Sequence, residues 1–257
     1  MSDHMLWAEA CDRAVAGDLV KGYAFFGHPS MSTSIFAPRI DSAFLQTPEG
    51  EKLDLKLKKG DWLPGYGHME YLSSDMMLYR PGDYVFGLIR TPGVYDLSWH
   101  GGKSGLFLTR SFAKVIIHAD AGKDDAIDEG APDSVSAWDA GFPLEILPKK
   151  APYNEKATEK IEFSVKYLNR PVRANYYASY WAWDEQGDSR VQRGMTSEDG
   201  LFSVNPVRGG MWIIDASLTL EESGTLTADE SRKFYKAGDV LEYKTIQVKS
   251  ELTVWIR

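Results

Sequence analysis

Cysteine is nearly absent. Cys11 is the single one in 257 residues, so an intramolecular disulfide is impossible and the compartment cannot be read from cysteine pairing. A lone cysteine is more often a small core residue than a nucleophile. No run of 18 or more apolar residues exists, so no segment reads as a membrane-spanning helix. The opening, Met1-Ser2-Asp3 followed by His4-Met5-Leu6-Trp7, has neither the basic region nor the apolar core of a secretion signal. The chain therefore reads as cytoplasmic, or as a mature exported protein whose leader has been replaced by a short start. Positive charge is also in deficit: the net charge of −8 lacks the basic footprint that nucleic-acid binding requires. Helical periodicity longer than about two turns is missing. So are the G-x-S-x-G elbow, the P-loop and G-x-G-x-x-G, and no carboxylate pair stands out as a glycosidase dyad. The expectation is a protein that is not an enzyme.

What the chain does have is strands. Its hydrophobic fraction of 43% and aromatic fraction of 12% suffice for a substantial core. Strand-like runs cover 18–28, 32–40, 51–60, 70–79, 83–89, 93–99 and 105–119. Turn residues separate them: Pro48-Glu49-Gly50, Pro81-Gly82-Asp83, Pro92-Gly93 and Gly101-Gly102. Proline presets φ at one turn position and glycine accepts positive φ at the next. From Lys52 to Lys58 charges alternate with Leu53, Leu55 and Leu57, the period-two pattern of a half-buried strand.

Residues 120–141 change character. They are rich in Asp, Ala and Gly and read as a linker or long surface loop. Their carboxylates lack the spacing of an EF-hand loop. Further strand-like runs follow at 142–148, 160–168, 172–184, 189–197, 201–207, 210–221 and 241–256. Thr227, with Glu230 three residues on, predicts one short helix over 227–234. Repeated short strands with this punctuation predict an all-β protein. The expected organisation is two Ig-like β-sandwich domains in tandem, 1–120 and 142–257, joined by 121–141.

Three histidines stand at the ends of apolar runs: His4 in HMLW, His28 in FFGHPS and His68 in GYGHMEY. Neutral imidazole suits nickel, cobalt, copper and zinc. Three such ligands with an open position would capture an ion and release it, whereas structural zinc usually closes with four ligands, often cysteine. The spacing forms no local motif, so convergence depends on how the strands pair; otherwise these are loop histidines bonded locally. His100, between Trp99 and Gly101-Gly102, is a fourth candidate ligand or a turn residue. His118 reads as a strand-end residue. Met5, Met69, Met76 and Met77 lie near these histidines, but neighbours along a strand point to opposite faces, and core filling suits them better. If the chain began at His4, or at Ser2 with His4 in third place, the terminal amine could also chelate Ni(II) or Cu(II). An aromatic face with Tyr176, Tyr180 and Trp181, alternating with Tyr177 and Trp183, could stack on sugars; one of the two sets belongs to a core.

The later strands, FPLEILP, NRPVRANYYASY, MTSEDGLFSV and the GGMW corner, resemble the small Ig-like or transthyretin-like modules of surface and periplasmic proteins. Taken with HMLW, FFGHPS, GHMEY and PGDYVF, the chain resembles the extracytoplasmic accessory proteins encoded with energy-coupling-factor nickel and cobalt transporters. The resemblance implies export, two β domains, and capture of a transition-metal ion, nickel first and cobalt or copper next, for delivery to a membrane permease. It implies ligands at His4, His28 and His68. The rival expectation is a carbohydrate- or protein-binding surface module without a functional metal.

Overall fold

The computed structural model describes residues 4–28, 35–63, 67–96, 98, 105–122, 137–180, 191–232 and 234–257. The alternation of apolar and polar side chains folds, as expected, into an all-β sandwich architecture. The first sheet holds β1 (Met5–Glu9), β3 (Leu19–Gly27), β8 (Gly67–Met77) and β7 (Lys58–Leu63) in that order, with β4 (Ile35–Phe36) on β3. The central sheet runs β16 (Val191–Met195), β15 (Asn175–Tyr180), β18 (Gly210–Leu220), β21 (Thr245–Ile256), β11 (Leu106–Asp120), β9 (Gly82–Arg90), β5 (Ile40–Gln46) and β6 (Lys52–Asp54). The strands β10 (Gly93–Asp96) and β2 (Arg13–Val15) add to β11. A third sheet contains β12 (Leu144–Pro148), β13 (Ile161–Tyr167), β14 (Arg170–Pro171) and β17 (Leu201–Val204). The hairpin of β19 (Gly224–Thr227) and β20 (Val240–Tyr243) completes the set.

Alternation along β11 shows how the layers stack, because successive side chains point to opposite faces. Leu108, Phe112 and Ile116 join Ile146, Phe163 and Val165 of the third sheet in one core. Ala113, Val115, Ile117 and Ala119 join Leu6, Ala24 and Phe86 in another. A further cluster, Trp7, Phe25, Met69 and Ile213 with Trp255 against it, fills the space where the first sheet meets β18 and β21. The central sheet is thus shared: β5, β9 and β11 precede the acidic stretch, β15, β16, β18 and β21 follow it, and β11 lies parallel to β21 from Phe107↔Thr245 to Val115↔Thr253. At the far end of the acidic stretch Trp138 and Ala140 are buried in the core.

The helix expected over 227–234 does not form in the described part of that stretch. Thr227 pairs with Val240 instead, and the Ala228 amide donates to the Asp239 carbonyl. Asp229 and Glu230 are drawn to Arg39. These tertiary partners outcompete a weak local cap.

An ion pair crosses between the halves of the chain inside the core. Lys114 and Glu145 are both fully buried and form an ion pair. The Lys114 ammonium also donates to the Trp138 carbonyl at 2.6 Å. Glu145 accepts from the Phe142 amide at 2.7 Å and the Ala140 amide at 3.3 Å. Burial pushes the Lys114 ammonium down, and the carboxylate beside it opposes that. Breaking such a pair strands a charge away from water. Glu145→Ala is expected to cost about 3–5 kcal/mol in urea unfolding. The double change Lys114→Met with Glu145→Leu is not expected to restore wild-type stability, because two amides and one carbonyl lose their partners.

Two acids are buried where β1 runs along β21. Thr253 donates to the Ala8 carbonyl at 2.6 Å and the Trp255 indole to that of Ala10 at 2.9 Å. Burial holds the Glu251 carboxyl well above the usual range, and the charge of Asp215, its cross-strand partner, adds to this; Lys249, the Leu6 amide and Arg90 pull the other way. Burial also raises the Glu9 carboxyl to about 7, opposed by a 2.8 Å hydrogen bond from the Trp7 indole. A raised native value means the folded chain keeps a proton that the unfolded chain releases. The Glu9 contribution is therefore fully present below about pH 4.5 and is lost as pH rises to about 7. Glu9→Gln, which keeps the Trp7 bond, is expected to raise stability at pH 8 by roughly 3 kcal/mol and to flatten the fall in melting temperature between pH 5 and 8.

Candidate metal centre

His4 and His28 come together through the register of β1 and β3. That ladder pairs Glu9 with Tyr23 and Met5 with Gly27, so its next step sets His4 against His28. Their ring centroids lie 4.5 Å apart at an interplanar angle of 63°. Gly27 has φ 142°, in the region that suits glycine, and it aims the residue after it. The edge of His4 also meets Phe26 at 5.4 Å and Phe36 at 6.4 Å. The Arg90 guanidinium stacks on Phe26, 4.1 Å from the ring centre. The two imidazoles are half-buried, with Phe26 and Phe36 against His4.

His68 shares their face of the first sheet by parity: on β1, β3 and β8 the even-numbered Leu6, Ala24 and Met76 all enter one core. It does not join them. β3 pairs with β8 from Leu19↔Met77 to Ala24↔Leu72. Had that ladder continued, His28 would face His68. From Phe26↔Phe36 onward β3 takes β4 as its partner instead, and His68 sits exposed across from Trp62. Among the described residues no group of three or more His, Cys, Asp or Glu is gathered to hold a metal ion. The expected meeting of three rings is thus a meeting of two, with the third on the same face. His100 and residues 1–3, with the terminal amine, lie outside the described residues.

The ring spacing leaves room for a shared ion where one nitrogen of each ring turns toward it. A metal–nitrogen bond of about 2.05 Å plus a ring radius of about 1.15 Å puts a bound ion about 3.2 Å from each centroid. With both nitrogens turned toward the ion, centroids 4.5 Å apart would subtend about 90° there, against about 5.2 Å for a tetrahedral angle. Right angles belong to square-planar and octahedral ions.

The aromatic face divides as alternation requires. Tyr176 stacks on Phe202 at 4.6 Å and Tyr180 leans on Trp212 at 5.7 Å, both against the core under the third sheet. Tyr177 faces the other way, toward the first sheet. Trp181 and Trp183 lie outside the described residues. A shallow cleft of about 390 Å³ lies beside Tyr177, Arg193, Met195 and Asp215.

Sequence reasoning placed the histidines but missed what orients them. Gly27-His28 and Gly67-His68 are the same dipeptide, each glycine at positive φ, 142° and 78°. That repetition was visible in the sequence. The partner of His4 is instead set by β1–β3 register, which no local pattern reveals.

A family model described as a domain of unknown function, DUF4198, matches residues 2–220. No curated protein matches the chain. No helix among the described residues is long and apolar enough to cross a membrane.

Proposed function

The chain belongs to the DUF4198 family, whose function is unknown, and from the paired imidazoles we propose that it binds a transition-metal ion outside the cytoplasm for delivery to a membrane permease. His4 and His28 are the primary ligands. The observation that carries this reading is their 4.5 Å separation across a β-ladder. Its fit to right-angled coordination favours nickel, with cobalt and copper next, over tetrahedral zinc. His68, exposed on the same face, and His100 are the further ligands of the proposal, suited to handing an ion over rather than closing the site. An open, incompletely liganded seat serves transfer, because a closed cage releases its ion slowly. No catalytic step is invoked.

The rival reading, a carbohydrate- or protein-binding surface, has one observation in its favour: the cleft at Tyr177 and Arg193 combines a ring with polar groups. The two readings separate on a single pair of titrations. Tag-free protein titrated calorimetrically with Ni(II) is expected to bind about one ion. His28→Ala should weaken that binding at least tenfold, and His68→Ala should weaken it less. Equal affinity in the wild type, His4→Ala and His28→Ala rejects the metal reading, and glycan binding lost on Tyr177→Ala would then establish the other.

A further inference from the structure

We propose that His118 and Asp120 form a second, separate seat for a divalent transition-metal ion. His118 lies near the end of β11, and its Nδ1 is 2.6 Å from Asp83 Oδ1. Asp83 is itself fixed: its Oδ2 accepts from the Trp138 indole at 2.7 Å and from the Tyr153 hydroxyl at 3.2 Å. The imidazole stacks on Tyr153 with centroids 4.4 Å apart and planes at 24°. Carboxylate, indole, phenol and ring stack together lock the ring in place. A carboxylate oxygen accepts, so the Asp83 contact puts a ring proton on Nδ1; in the neutral ring that leaves the lone pair on Nε2.

Nε2 faces Asp120 Oδ1 at 3.2 Å. Two acceptors at that distance repel unless a cation stands between them, either a second ring proton or a metal ion. The separation of 3.2 Å fits a hydrogen bond from a doubly protonated ring and fits a shared metal ion equally well; we take the second. Bonds of about 2.0–2.1 Å meeting at about 90–105° put nitrogen and oxygen about 2.9–3.3 Å apart. A carboxylate that holds the far side of a metal-binding histidine is the usual second partner of such ligands, fixing the ring and raising its basicity. Both ligands can be reached from solvent, with 18% of the His118 side chain and 37% of the Asp120 side chain exposed.

The nearby cations are engaged elsewhere. Arg13, beside His118 in register, donates to Asn154 and lies over Tyr153. Arg257 donates to Asp12 at 2.8 Å. No third protein ligand is gathered among the described residues, so water completes the coordination. One nitrogen and one carboxylate oxygen suit a borderline ion such as Co(II) or Zn(II).

The seat does not depend on the His4–His28 reading, and it can be tested without that pair. The chain carrying His4→Ala and His28→Ala is titrated with Co(II), followed by visible absorption. It should bind one ion, and adding Asp120→Asn should weaken binding at least tenfold while leaving the metal-free melting temperature unchanged. Asp120 is a surface residue whose replacement spares Asp83, Trp138 and Tyr153, so folding is preserved even where His118→Ala would unfold the chain. No cobalt uptake in the double variant, or the same affinity with Asp120→Asn, overturns the proposal.

Discussion

The buried pair of Lys114 and Glu145 is the constraint on which the three layers depend. A lysine in the middle of an apolar strand is tolerable only with an acid and a carbonyl around its ammonium. Glu145 and the turn from Trp138 to Phe142 supply them. That requirement fixes where the third sheet meets the central one, and hence which face of β11 looks toward Phe163 and which toward Leu6. Apolar packing alone would permit β12 to slide. A charge that must find one particular partner does not.

The first sheet is positioned differently, through β1. Its side chains are buried on both faces, and its carbonyls at Ala8 and Ala10 accept from Thr253 and Trp255. That seam carries Glu9 and Glu251, whose burial ties its strength to pH. The paired imidazoles lie just beyond the same strand. Any ligand drawn to His4 and His28 therefore bears on the first residues of β1 and on the ladder that sets their register.

Much of the architecture was legible from local pattern. Leu53, Leu55 and Leu57 are half-buried between exposed neighbours as their alternation predicts, but the single strand expected there is broken: β6 ends at Asp54 in the central sheet and β7 starts at Lys58 in the first. The Pro-Gly steps fall at strand starts, with Gly82 and Gly93 opening β9 and β10. What was not legible was long-range pairing. Nothing near residue 115 indicates that its neighbour is residue 253, and nothing near Ala24 indicates that β8 gives way to β4. The same blindness explains His68: its parity was readable and 32–40 read as a strand, but that β4 in this run takes the place of β8 beside β3 was not. Thr227 and Glu230 carried a helix signal that tertiary partners overrode. Lys114 within AKVII was a signal left unread, since a lysine inside an apolar strand demands an acid somewhere. His118 was readable only as a strand end, because its partners Asp83 and Tyr153 are each 35 residues away.

The place of β21 bears on the order of synthesis. Residues 245–256 leave the ribosome after every strand they join, yet they lie between β18 and β11. Until they emerge, those two strands present bare backbone edges, and the nascent chain holds two unfinished fragments rather than a finished amino-terminal body. Closure is a late and non-local event, of the kind that folds slowly.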